Sequence, residues 1–76
     1  MELFNELWLV LRDYYAPTTT RAEAVKRAAS AMWSLGHEVT ILPKHRILVD
    51  GMVFEIGKVP GHVHFELRQL ATAPQQ

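Results

Sequence analysis

The 76-residue sequence contains no cysteine. A disulfide scaffold and a thiolate metal site are excluded, and a reducing compartment suits the chain. Neither sign of charge prevails: Lys+Arg and Asp+Glu number 8 each, so the formal net charge is zero with His neutral. That balance argues against a general nucleic-acid binder, which carries a basic excess. It argues equally against an acidic mimic of DNA. No apolar run approaches the roughly 18 residues that a membrane helix needs. The N-terminal MELFNELWLVLRDYY is apolar, but Glu2 and Glu6 stand where a signal peptide is positive, and no small-residue cleavage site follows. The expectation is a soluble, cytoplasmic chain without a membrane partner. Glycine is sparse and isolated, so no phosphate-cradling loop exists, and no G-x-S-x-G turn presents a nucleophilic serine. Ser30 and Ser34 fall on the wet side of a helix. Repeats, low-complexity tracts and linkers are missing too.

What is present suits one small fold. Hydrophobic residues make up 49 % of the chain, too many for disorder. A domain of this size buries only about 60–65 % of its unfolded surface, so good packing or oligomerisation matters for its stability. The organising stretch is Arg46 to Leu67, RILVDGMVFEIGKVPGHVHFEL. Asp50-Gly51 favours a two-residue type I′ hairpin, because both positions need positive φ. The hairpin sets Val49 opposite Met52, Leu48 opposite Val53, Ile47 opposite Phe54 and Arg46 opposite Glu55. Ile47, Val49, Met52, Phe54 and Ile56 then share one face, and Arg46, Leu48, Val53 and Glu55 the other. Val59-Pro60-Gly61-His62 suits a type II turn. A strand from His62 to Arg68 follows it, with Val63, Phe65 and Leu67 directed to the core.

Ahead of this ribbon, residues 2–15 read as a helix with Leu3, Phe4, Leu7, Trp8, Val10, Leu11, Tyr14 and Tyr15 on one arc. Ala16-Pro17 ends it. Thr20-Arg21-Ala22-Glu23 matches a capping box and opens a second helix that runs to about Leu35, with Gly36 as its left-handed terminator. Its central stripe is Ala22, Val25, Ala29, Met32 and Trp33, widened by Ala24, Ala28, Ala31 and Leu35. That arc exceeds what one sheet contact requires, so the first helix or a second copy of the chain packs against it. His37 to Leu42 reads as a strand. A three-residue turn at Pro43-Lys44-His45 aligns Ile41 with Ile47 and Val39 with Val49 in the core. The expected architecture is α+β: two N-terminal helices packed on one face of a four-stranded antiparallel β-meander, in two layers, within a single domain of residues 1–70. A frayed tail, 71–76, follows. A winged-helix arrangement would need a third helix, which the sequence does not offer.

Chemistry is thinly signalled. His62, His64 and Glu66 project from one face at strand spacing, and two His with a carboxylate are ligands that Zn²⁺ or Fe²⁺ accepts. A His-x-His pair on a strand recurs in cupin-type metal sites, but the glycine-flanked surroundings and later ligands of that pattern are absent here. Solvent-facing polar positions on a half-wet sheet account for the same three residues. A strand acid followed by E-x-K marks some nucleases. Here Glu55-Ile56-Gly57-Lys58 is one residue too long, so Glu55 and Lys58 point to opposite faces. Arg21, Lys26 and Arg27 on the second helix form a nucleic-acid alternative, diluted by Glu23.

Leu48 and Val53 face each other on the outward side of the sheet with Arg46, Glu55, His64, Glu66 and Arg68 around them. An apolar centre with a charged rim suits a protein-binding patch. The leading expectation is therefore a non-enzymatic binding or regulatory protein that acts through protein–protein contacts, with no cofactor. Chain size alone places it beside the accessory proteins of phages and mobile elements that inhibit host machinery. The nucleic-acid regulator and the His-based metal site stand as alternatives. A homodimer is a further option, because edge strands and the Ala-rich side of the second helix both offer an interface.

Overall fold

The computed structural model describes residues 2–70. The tail expected to fray, 71–76, lies outside the described residues. Two helices, α1 (Leu3–Leu11) and α2 (Arg21–Ser34), precede four strands: β1 (Val39–Leu42), β2 (Arg46–Val49), β3 (Met52–Gly57) and β4 (Glu66–Gln69). The strands form one antiparallel sheet in the order β1-β2-β3-β4, and α2 packs against β1, β2, β3 and α1. This is the α+β meander with helices on one face. No helix among the described residues is long and apolar enough to cross a membrane.

The turns set the register. Asp50 has φ 49° and Gly51 φ 84°, the left-handed pair of a type I′ hairpin. Arg46 pairs with Glu55, Ile47 with Phe54, Leu48 with Val53 and Val49 with Met52. Across the other hairpin, Val39 pairs with Val49 and Ile41 with Ile47, so Pro43-Lys44-His45 is the three-residue loop. Ile47, Val49, Phe54 and Ile56 are wholly buried on the helix-covered face, with Leu7, Leu11 and Met32 among the helix residues that meet them. Phe4 reaches across from α1, its ring 6.4 Å from that of Phe54.

Thr20 caps α2, its hydroxyl accepting from the Glu23 N–H at 3.1 Å. The Glu23 carboxylate is engaged with Arg27 at 2.9 Å, so only half of the capping box forms. At the other end Gly36, at φ 97°, closes a Schellman motif. The His37 N–H donates to Met32 O at 3.1 Å and the Gly36 N–H to Trp33 O at 3.0 Å.

Three expectations are corrected. First, α1 stops at Leu11, not Tyr15. The Tyr14 N–H folds back to Leu11 O in a tight turn, and Tyr15 then makes an isolated antiparallel bridge to His64. Second, the last strand begins at Glu66, not His62. The turn at Pro60-Gly61 forms, with the His62 N–H on Val59 O at 3.0 Å. Val63 is then drawn out of the sheet, its carbonyl accepting from the Ala16 N–H at 2.7 Å. Val63 is 52 % exposed, whereas Phe65 and Leu67 are buried. A two-residue hairpin at Pro60-Gly61 would pair Gly57 with His64; instead Gly57 pairs with Glu66. That shift is even-numbered, so every β4 side chain keeps its face.

Third, Ala22, Trp33, Leu35 and Ile41, assigned to the core faces, lie outside the core. Trp33 is 70 % exposed and Ile41 is 52 % exposed. The buried stripe of α2 is Ala24, Val25, Ala28, Ala29 and Met32. Its alanines bring the helix close to its neighbours, which leaves Ala22, Trp33 and Leu35 beyond the contact. β1 is an edge strand, and the groove between it and α2 lies open beside Trp33 and Ile41. Phe54→Ala removes the largest fully buried side chain. It is expected to cost about 3–5 kcal/mol and to leave the chain largely unfolded, read as a lost or strongly shifted urea transition.

Candidate functional site

The residues singled out by sequence fall into two places. On the outer sheet face the register brings Thr40, Leu48 and Val53 into one row across β1, β2 and β3, and Leu70, just past β4, extends it with its N–H on Val53 O at 2.8 Å. Beside it runs an ionic row. Glu55 accepts from Arg46 Nε at 3.2 Å and from Arg68 Nη2 at 2.9 Å. Glu66 lies further along that face, its side chain against Gly57. Leu48 and Val53 are half-buried, and each charge of the ionic row already has a partner.

His64 stands elsewhere. Its ring lies 6.2 Å from that of Trp8 and 5.6 Å from that of Tyr15, beside the bridge to the α1–α2 connection. His62 is in the loop before β4. The trio His62, His64 and Glu66 therefore does not share a strand, and no group of three metal-ligating side chains converges among the described residues. The withdrawal of the chain from the sheet before Glu66 is the cause. The cation trio on α2 is divided as well. Arg27 pairs with Glu23 and lies over the Tyr14 ring at 5.6 Å, while Arg21 and Lys26 face other clefts.

The sharpest electrostatic feature was not anticipated. His37 bridges two carboxylates, with Nε2 2.6 Å from Glu6 Oε1 and Nδ1 2.5 Å from Asp50 Oδ2. Only the imidazolium donates from both nitrogens, so the hydrogen bonds to Asp50 and then to Glu6 raise the His37 pKa above 6.5. The Asp50 carboxyl is held below 3.8 by His37 and then by the Glu38 N–H, which reaches Oδ1 at 2.9 Å. The two carboxylates grip opposite nitrogens of one ring, so the cluster is a clasp between α1, the start of β1 and the β2–β3 turn. It leaves no lone pair aimed at a common point.

The second feature is the open margin of β1, one of the edge strands expected to offer an interface. The Glu38 carbonyl accepts from the Asp50 N–H at 2.9 Å, and the register continues through Thr40–Leu48 and Leu42–Arg46. Hydrogen-bonded pairs alternate along an antiparallel ladder. Thr40 and Leu42 thus turn their peptide groups to β2, and Val39 and Ile41 turn theirs outward. No described strand pairs with that margin. Alongside it Trp33, Ile41, Val39, Ala29, Ser30 and Lys26 line a shallow, mostly apolar groove. A signal for it was present in sequence: the apolar arc of α2 was too wide for one contact, and Trp33 occupies its surplus, with Ile41 of β1 lining the same groove.

Compared with known proteins, the chain matches no family model, and it has no significant match among curated proteins or solved structures. Its surfaces are read from their own geometry.

The clasp predicts a pH profile. The contribution of His37, whose folded pKa is raised, is complete below about 6.5 and vanishes as pH rises through its folded value. That of Asp50, whose folded pKa is lowered, is complete above about 3.8 and vanishes as pH falls through its folded value. The melting temperature should be flat between those limits and decline on both sides. In His37→Gln the alkaline decline should disappear, a result that thermal melts across the pH range would check.

Proposed function

We propose that this chain is a non-enzymatic binding protein that acts through protein–protein contact, and that its partner adds an extended segment along β1. The observation that carries this reading is the coincidence of unpaired backbone groups and exposed apolar side chains on one margin. The outward peptide groups of Val39 and Ile41 ask for a strand. Trp33 and Ile41 offer anchors for apolar side chains at alternate positions of that strand. A helix face or a small molecule would leave the backbone groups unanswered. The outer face, with Leu48 and Val53 between half-covered neighbours and with Arg46, Glu55 and Arg68 mutually paired, is the adjoining surface that a larger partner would reach next.

The test is a tagged pull-down from nuclease-treated host lysate, followed by amide exchange on the purified complex. A stoichiometric partner lost with Ile41→Asp, together with new protection at the Val39 and Ile41 amides, would support strand addition. A loss confined to Leu48→Asp, with those amides still exchanging freely, would move the contact to the outer face. A concentration-dependent homodimer that protects the same amides and excludes other proteins would assign the margin to a second copy and overturn the reading of a foreign partner. Trp33→Ala is expected to weaken the complex at least tenfold, as an interface anchor does, while changing stability by less than about 0.5 kcal/mol.

A further inference from the structure

Charge is balanced in the composition but sorted by the fold. Arg27 is paired with Glu23, and Arg46 and Arg68 with Glu55. Among the described residues Arg12, Arg21, Lys26, Lys44 and Lys58 have no carboxylate within 4.0 Å. All of these except Arg12 gather at one end of the molecule. Arg21, His45 and Lys58 line one cleft, and Lys26, Lys44 and His45 line another. Ala22 and His45 belong to both clefts, so the two adjoin. No acidic residue lines either one.

The topology accounts for the sorting. In a meander the first and third connections fall at the same end of the sheet. The first supplies Lys44 and His45, and the third supplies Lys58. The start of α2 adds Arg21. The opposite end of the sheet holds the β2–β3 turn, where Asp50 and Glu6 enclose His37. Lys44 and His45 are moreover held at φ 64° and 59°, a left-handed conformation that Asn or Gly adopts at less cost. The sequence places cationic and imidazole side chains there instead.

We propose that these two adjoining basic clefts, lined by Arg21, Lys26, Lys44, His45 and Lys58, bind the phosphodiester backbone of a nucleic acid. The cations are spread along a groove instead of converging on one point, which suits a chain with a charge at every repeat more than a single phosphate. The lining holds no Asn, Gln, Asp or Glu to read adenine or cytosine, so binding is governed mainly by backbone charge. This surface differs from the α2 face expected from the sequence: Arg27 is withdrawn from it, and Lys44, His45 and Lys58 are added. It adjoins the strand-binding margin, and Lys26 and Ile41 line both.

Fluorescence anisotropy with a labelled single-stranded oligonucleotide tests the proposal. Affinity should fall with salt at a log–log slope of about −2 to −3, as expected for three to four phosphates neutralised. The pair Lys44→Asn and Lys58→Gln removes two of the charges, and Asn suits the left-handed position 44, so the variant should fold. It should lower the slope by about 1.4 and the affinity roughly tenfold at low salt. Arg12→Gln and Trp33→Ala should leave binding unchanged, which separates this surface from the protein-binding margin. Absence of binding at low salt, or binding indifferent to the double variant, would overturn the proposal. A poly-glutamate peptide that binds more tightly than the oligonucleotide would reassign the cleft to an acidic protein and overturn it as well.

Discussion

Asp50 is the residue on which most of the structure turns. Its left-handed backbone makes the β2–β3 hairpin, and that hairpin sets which side chains face the helices. Its carboxylate at the same time accepts from the Glu38 N–H and from His37. The hairpin tip is thereby fastened to the start of β1 and, through the second nitrogen of His37, to Glu6 on α1. A small domain with no disulfide has few ways to tie its layers together. Here one polar junction does it at the rim, where partial exposure keeps the cost of holding charge modest. The interior is left entirely apolar, with no buried polar side chain among the described residues.

The hairpins were legible because their signals are local. Asp-Gly and the spacing of Ile41, Ile47 and Phe54 fix the register of three strands without knowledge of anything distant. The capping threonine and Gly36 were legible for the same reason. What escaped depends on contacts far apart in sequence. The early end of α1 and the late start of β4 have one cause, the attraction of Tyr15 and Ala16 to Val63 and His64. No spacing rule within either segment contains it. Trp33 and Ile41 were misplaced because an apolar residue at core periodicity carries no mark of whether its element lies at an edge. The His37 clasp joins three segments that are remote in the chain.

The surfaces follow from the same division. Glu55 and its two arginines form a self-satisfied row because the β3–β4 register brings Arg68, not Glu66, beside it. Apart from Lys26 within α2, the cations that remain unmatched are those at connections and at the beginning of a helix, where no neighbouring strand supplies a carboxylate. Composition averages these two populations and reports neutrality. The folded chain has a basic end and an end where carboxylates surround a histidine, with an apolar margin along one edge between them.

The bridge between Tyr15 and His64 also bears on how the chain assembles. Every ladder in the sheet joins strands that are neighbours in sequence, so the meander can form through short loop closures. The bridge alone joins the segment after α1 to the segment before β4, and closing it requires nearly the whole chain to be in place. Of the backbone pairings it therefore carries the largest loop-closure cost. Leu11, Ala16 and Phe65, buried on either side of it, offset that cost by packing into the core.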